Sequence, residues 1–369
     1  FDLVEEVIQA RYQNVGSEGE NNQIFRRGAE AMGWQLQRNK RNQVHCVGTN
    51  DCVSGCPTGA KQSTVMTWIP RLLQAGGHIL THAEVIKIRR RNQRVSGVEV
   101  KLRSPLRSRR LVIEAPRVVV ACGAVQTPLL LQRSKILKNK HLGRHFTVHP
   151  NAKVAALFDA PVNSMKGVHQ AWQCTEFHKD GILMAPGGVP LSVIAQCFPL
   201  MGSDLTEQMR LAPYIATAGV LVDDSSSGFI KAAPFGIDRI RYDVNDFDQE
   251  RFIRGVQRLS QLFFSAGARK VYTPFNEVPT LDHPEQIRRL ADVSPKVKHT
   301  EYFTAHLMGT CRMSTASEEG VVKPNGESWD LPGLFIADAS VMPGTIGVNP
   351  QVTIMALARL IGESIAEGA

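Results

Sequence analysis

Twice in this chain a short unbroken run of β-branched and apolar residues gives way, at a glycine turn, to a helix that starts on a proline. No other feature restricts the fold as much. The first instance is Arg117-Val-Val-Val-Ala121 followed by Cys122-Gly-Ala-Val-Gln-Thr-Pro-Leu-Leu-Leu131. The second is Leu331-Pro-Gly-Leu-Phe-Ile-Ala337, then a turn with two glycines, then Asn349-Pro350 and an apolar run to Ala358. A strand with no polar alternation suits burial on both faces. Thr127-Pro128 and Asn349-Pro350 each read as an N-cap with proline in the first helical position. In an α/β sheet, ligands sit beyond the outer ends of such strands. The start of the later helix, with free N–H groups and a positive dipole end, is a seat for negative charge.

Around these units the chain alternates in character. Residues 1–40 are expected to be largely helical, with Ile24, Ala29, Met32 and Trp34 inward. A loop rich in glycine and cysteine, residues 46–61, leads to a helix through Trp68 and Leu73. Strand patterns at 79–89, 95–102 and 111–113, with a polar turn at Asn92-Gln93, predict an antiparallel meander. Residues 151–300 alternate short apolar runs with Gly and Pro, which predicts a second lobe built on a sheet. The expected class is therefore α/β with α+β character: a dinucleotide-type sheet domain and a second, substrate-binding domain on a mostly antiparallel sheet. The segments are 1–56 (helical and cysteine loop), 57–150 (first domain), 151–330 (second domain) and 331–369 (first domain again).

With 369 residues, 43% of them hydrophobic, the chain can bury a large core. No apolar run reaches the roughly 18 to 20 residues of a spanning helix, and the N-terminus lacks the order of a signal peptide. A soluble protein is expected, with the cytoplasm favoured over the periplasm. Part of the net charge of +9 comes from Lys87-Ile-Arg-Arg-Arg91 and Arg103-Ser-Pro-Leu-Arg-Ser-Arg-Arg110. No aromatics interleave these cations, so they read as a solvated hairpin edge and not as a nucleic-acid surface. Seven cysteines in a chain this long do not make a disulfide scaffold. Cys122, Cys174, Cys197 and Cys311, set among apolar residues, are expected to be core thiols.

Polar groups that point to chemistry gather late in the chain, in His306-Leu-Met-Gly-Thr-Cys-Arg-Met313 and at Asn349. These runs, with Pro324-Asn-Gly326, Leu331-Pro-Gly-Leu-Phe-Ile-Ala-Asp-Ala-Ser340 and Gly347-Val-Asn-Pro-Gln-Val-Thr-Ile354, resemble the C-terminal signature of the glucose-methanol-choline oxidoreductases. The meander, Val119-Val-Ala-Cys-Gly-Ala-Val-Gln-Thr-Pro-Leu-Leu130 and Gly143-Arg-His-Phe-Thr-Val-His-Pro150 resemble that family's middle section. The resemblance covers residues 45–150 and 300–369. It implies FAD-dependent oxidation of a small-molecule alcohol, with the isoalloxazine ring against the helix that starts at Asn349. The implied FAD contacts are Val85 at the adenine, Ala121 and Gly123 at a strand end, Asp338 and Ala339 beside the ribityl and pyrophosphate, and Asn349 and Pro350 at the flavin. His306 and Asn349 match the catalytic pair. The alcohol must lose a proton as its carbon gives up hydride; an imidazole can accept that proton, and Asn can hold the oxygen without titrating. Leu307 stands where the family usually has Pro. The family's Gly-x-Gly-x-x-Gly loop does not occur in this sequence.

The cysteine loop leaves more than one reading open. Cys46, Cys52 and Cys56 fall within eleven residues, a spacing that suits an iron-sulfur cluster. Certain flavin sugar dehydrogenases of the same family carry such a cluster on a similar loop, with a further cysteine where Val47 stands here. A metal-free loop packed beside the flavin is the alternative, and zinc with His45 as fourth ligand is a third. A cluster would imply export of electrons one at a time to an acceptor protein, favouring a dehydrogenase over an oxidase. The rival from another class is a flavin-free electron-transfer or binding subunit, or an inactive fragment.

Overall fold

The computed structural model describes residues 1–103, 107–188, 190–196, 198, 200–233, 236–294 and 300–368. Cys197, expected among the core thiols, lies outside the described residues.

The two strand–turn–helix units lie side by side. Val118–Val120 pairs in parallel with Leu334–Ile336, Val118 opposite Leu334 and Val120 opposite Ile336. Helix Gly123–Ser134 follows the first strand, and helix Gln351–Glu367 comes after the second and its turn. Val120, Leu334 and Ile336 are buried, but Val119 is 48% exposed, so the expectation of burial on both faces fails there. Among the described residues the parallel sheet has two strands, and the face that carries Val119 is left partly open.

The meander forms as expected from Ala83–Arg91, Arg94–Leu102 and Arg109–Glu114, all antiparallel. Asn92 and Gln93 take φ of 49° and 63°, the left-handed pair a tight hairpin needs. Its inward residues Ile88, Val95 and Val100 are buried; Ile88 and Val95 share a core with Leu131, Ile336 and Ile361. The basic residues lie along its strands, where Lys87 pairs with Glu99 and Arg103 with Glu84.

The second lobe is a seven-stranded sheet in the order Thr280–Leu281, Lys270–Tyr272, Asn151–Leu157, Ile215–Val222, Ile182–Pro186, Trp172–Cys174, Leu36–Arg38. Every neighbouring pair is antiparallel. Ala152, Val154, Ala156, Ala218, Val220 and Met184 face one way and belong to the main core. Helix Asp246–Ser265 covers that face with Phe252, Val256, Leu259 and Phe263, and each such burial contributes roughly 1.5 to 3 kcal/mol. Asn245 caps the helix by accepting from Asp248 N–H at 2.8 Å. Helix Glu20–Ala31 packs on it through Gly28, where a Cβ would stand 2.4 Å from the Leu262 carbonyl.

The first forty residues are less helical than expected, since Leu36–Arg38 is the edge strand of this sheet. Ile24 and Ala29 point inward and Trp34 packs against the core. Met32 is 38% exposed, because the helix has already ended at Ala31. Cys174 and Cys311 are buried, whereas Cys122 is exposed, set at the open strand end and not in the core. Among the described residues no helix is long and apolar enough to cross a membrane.

Candidate active site

His306 lies where several segments are bound edge to edge. Residues 303–308 run antiparallel to residues 147–151. Thr147 and Met308 exchange N–H···O bonds of 3.2 and 3.0 Å, and Phe303 N–H donates to the Asn151 carbonyl at 2.7 Å. Gly309 has φ +86°, and a Cβ on it would come within 2.2 Å of the His145 carbonyl, so only glycine fits. Thr310 compensates a defect in helix Gly123–Ser134. Pro128 lies inside that helix and has no N–H for the Ala124 carbonyl, and the buried Thr310 Oγ1 donates to that carbonyl at 2.7 Å. Gly309 and Cys311 N–H groups donate to the Ala339 and Ser340 carbonyls at 3.2 and 2.8 Å. The 306–313 run therefore ties both strand–turn–helix units together, and this holds the histidine still.

The His306 ring has a partner on each nitrogen. Its Nε2 is 3.1 Å from Asn349 Nδ2, so the structure brings the two sequence-predicted catalytic residues together. Its Nδ1 is 3.3 Å from Nδ1 of His149, a fully buried imidazole set edge-on at a centroid distance of 5.4 Å. His149 Nε2 receives the Gly347 and Ile346 N–H groups at 3.2 and 3.4 Å and lies 3.9 Å from Asp223 Oδ1. That oxygen is buried with no hydrogen-bond partner. Asp224 accepts from the His149 backbone N–H at 3.0 Å and from the Tyr242 hydroxyl at 2.6 Å. Burial pushes the Asp224 carboxyl up and, with Asp224 itself, pushes the Tyr242 hydroxyl up as well. Burial first, and the Lys153 charge second, push His306 down to about 4. Burial and the His306 charge do the same to His149, against the pull of Asp223. Both rings are neutral at pH 7.

Sequence reading missed His149, Asp223, Asp224 and Tyr242. His149 closes a run already singled out, and Asp223-Asp224 follows an apolar strand, but nothing in their spacing shows that they meet.

Asn349 does not cap the last helix. Helix Gln351–Glu367 has Pro350 at the N-cap position and no side-chain cap bond, because the Asn349 amide is turned to His306. Likewise helix Gly123–Ser134 begins at Gly123, not after Thr127, whose hydroxyl instead accepts from Cys122 N–H at 3.1 Å and donates to Asp338. Asp338 also accepts from Gly123 N–H at 2.9 Å and caps its own turn by accepting from Ser340 N–H at 2.7 Å. Ala121, Gly123, Asp338 and Ala339 thus gather at the carboxyl ends of the parallel pair. Val85 lies partly exposed on the first meander strand.

The cluster expectation is corrected. Cys52 Sγ accepts from Arg41 at 3.6 Å and Cys56 Sγ lies 3.5 Å from Thr58 Oγ1, while the Cys46 N–H donates to Gln43. Among the described residues no three His, Cys, Asp or Glu side chains come together as a metal site, so neither three thiolates nor zinc with His45 is supported. The loop has polar anchors such as Lys61 Nζ, which donates to the Cys52 carbonyl at 2.8 Å.

Comparison with known proteins gives the family. Two family models described as GMC oxidoreductase match residues 1–151 and 225–358. An uncharacterized GMC-type oxidoreductase of Mycobacterium tuberculosis is 32% identical over 347 residues, 94% of this chain and 54% of that protein. One from Sinorhizobium fredii is 32% identical over 95% of this chain and 69% of its own length. Long-chain-alcohol oxidase FAO1 of Arabidopsis thaliana is 29% identical over 96% of this chain and 50% of its own. The chain spans about half the length of the first of these relatives. Among solved structures, pyridoxine 4-oxidase from Mesorbium loti superposes with a TM-score of 0.73 at 18% identity, over 97% of this chain and 71% of that one. An FAD-dependent oxidoreductase from Chaetomium thermophilum gives 0.62 at 14% identity, over 97% and 73%. The fold is theirs, and the chain belongs to the GMC oxidoreductase family.

Proposed function

We propose that the chain serves the FAD-dependent oxidation of an alcohol, with His306 taking the hydroxyl proton and Asn349 holding the oxygen. The observation that carries this reading is the His306–Asn349 contact of 3.1 Å at the start of a helix with no side-chain cap. Two relatives act on alcohols by name, the long-chain-alcohol oxidase and a 2-methyl-1,2-propanediol dehydrogenase of Mycolicibacterium austroafricanum. One is an oxidase and the other a dehydrogenase. With the cluster unsupported, the argument for an acceptor protein loses its basis.

The residues present fit the cofactor. A Cβ at Gly123 or Gly344 would meet nothing within 4 Å, which leaves room at the strand end and in the turn before the last helix. The first N–H groups of helix Gln351–Glu367 lack a side-chain cap, as a negatively charged ring edge would require. Val85, Ala121, Gly123, Asp338, Ala339, Asn349 and Pro350 would hold FAD, which supplies the two-electron acceptor for the hydride of the carbinol carbon.

Proton placement then decides whether His306 can act. Backbone N–H groups aim at His149 Nε2 and the Asn349 amide nitrogen aims at His306 Nε2, so both neutral rings would carry their proton on Nδ1 and meet head-on. Two arrangements relieve this. In the first, His149 Nδ1–H donates to His306 and the Asn349 amide turns its oxygen to His306 Nε2–H, which leaves no base. In the second, His306 Nδ1–H donates to His149, whose own proton moves to Nε2 and toward Asp223 Oδ1, leaving His306 Nε2 bare to take the alcohol proton. The second sets His149 Nε2–H against the Gly347 and Ile346 N–H groups that this nitrogen otherwise receives, and the Asp223 carboxylate, 3.9 Å away, is the group that can offset this. Replacing His306 by Ala should lower alcohol-driven flavin reduction by about two to four orders of magnitude while FAD still binds. Reduction at the parent rate would demote His306 to a structural residue.

A further inference from the structure

At the end away from Gly123, helix Gly123–Ser134 borders a cavity of about 870 Å³. That size falls within the roughly 300 to 1,000 Å³ of small-molecule sites. Three segments wall it: the end of the helix, residues 140–144, and the chain from Phe229 to Ala233. Gln132 ties them together. Its Nε2 donates to the Ile230 carbonyl at 3.0 Å and, less closely, to the Leu142 carbonyl at 3.4 Å, while its Oε1 accepts from Ala232 N–H at 2.6 Å. Gly143 lets the backbones meet, since a Cβ there would stand 2.2 Å from the Ile230 carbonyl. The walls are thus fixed, and Leu142, Phe229 and Ala232 give the lining an apolar part.

Five basic residues, Arg133, Lys135, Lys140, Arg144 and Lys231, also line this cavity, and no Asp or Glu among the described residues does. Cations at the carboxyl end of a helix complement its dipole, which accounts for Arg133 and Lys135. It does not account for Lys140, Arg144 and Lys231, which belong to the other two segments. Arg133 is held by Asp238. Among the described residues the side chains of Lys135, Lys140, Arg144 and Lys231 enter no hydrogen bond or ion pair, and Lys140 acts only at a distance on the exposed Glu318. Low-dielectric walls focus the field of such like charges into a cleft. His145, beside Arg144, is pushed down to about 4 by burial first and then by the charges of Arg312, His141 and Arg144, so the neighbourhood is electropositive.

We propose that this cavity is a binding site for an organic polyphosphate of the nucleoside triphosphate class. The phosphate chain lies along Lys135, Lys140, Arg144 and Lys231, and the nucleoside rests on Leu142, Phe229 and Ala232. A single phosphate would leave most of the cations on these three segments unpaired, whereas a triphosphate brings about four negative charges spread along a chain. The lysines act as point charges on phosphate oxygens, and the Arg144 fork can bind two of them at once. Concave walls suit a small molecule better than the face of an acidic protein. The 12 residues of the helix put the cavity roughly 18 Å from Gly123, so it does not belong to the strand-end site around Gly123 and Asp338.

Calorimetry on the whole chain tests this without any turnover. ATP should bind at least about tenfold more tightly than AMP or inorganic triphosphate, and its affinity should fall as salt is raised. Lys135→Gln and Lys231→Gln should each weaken ATP several-fold, and Lys231→Arg should keep most of the affinity, with circular dichroism confirming that the variants fold. Arg90→Gln, on the basic meander, should leave ATP binding unchanged. No binding of ATP, or binding indifferent to both Lys135→Gln and Lys231→Gln, would overturn the proposal. An equal loss in Arg90→Gln would do the same, since it would show only a general attraction to a basic protein. Inorganic triphosphate binding as tightly as ATP would overturn the nucleoside part of the assignment. A polyglutamate peptide binding more tightly than ATP would turn the cavity into a docking place for acidic polypeptide and sink the small-molecule reading.

Discussion

Asn349 does one job where its sequence context promised two. Its amide faces His306, and the helix behind it starts without a side-chain cap. Asn349→Ala should therefore slow flavin reduction yet cost less than the ~0.5 to 2 kcal/mol of a lost cap, as read from urea unfolding. A stability loss in that full range would show that the side chain caps the helix in solution. Asp223 has the opposite history, invisible in the sequence and set 3.9 Å from His149 with a buried oxygen that lacks a partner. If it stabilises the tautomer that bares His306 Nε2, Asp223→Asn should lower the reduction rate by about tenfold or more at unchanged flavin affinity. A rate equal to the parent's would mean that His149 never needs to move its proton.

Among elements, helix Gly123–Ser134 shows how a local flaw is turned into a tertiary link. Pro128 leaves the Ala124 carbonyl without its helical donor, and Thr310 supplies one from 186 residues away. Thr310→Val should leave that buried carbonyl unpaired and destabilise the protein by about 1 to 3 kcal/mol. In a Pro128→Ala background the new N–H can reach the carbonyl, so the same Thr310→Val change should cost distinctly less. Equal costs in both backgrounds, measured by chemical denaturation, would break the link between them. The motif around His306 was legible as a motif. Its purpose was not, because the spacing of Gly309 and Thr310 has meaning only against the His145 and Ala124 carbonyls they meet.

For the whole molecule, four histidines set the acid limit. His145, His149, His169 and His306 are each pushed down to about 4, chiefly by burial. Unfolded, such groups titrate near roughly 6.5, so between the two values the unfolded chain binds more protons and stability rises with pH. Their contribution is whole above about 6.5 and is lost as pH falls through about 4. Tm followed at constant ionic strength should fall steadily across that window, and a flat Tm from pH 7 to 4.5 would contradict the buried neutral state. The sequence by itself determined the elements with local causes: the Asn92-Gln93 hairpin, the parallel strands, and the glycine turns that lead into both helices. It also marked His306 and Asn349, whose runs resemble a known family. Only the tertiary structure decided what they touch. Whether Val119 is covered, whether three cysteines converge, whether Asn349 caps or holds a ring, and that His149 meets His306 with Asp223 behind it, all depend on segments brought together from far along the chain. Side-chain partners at that range are fixed by packing and hydrogen-bond geometry in three dimensions, and residue spacing carries no trace of them.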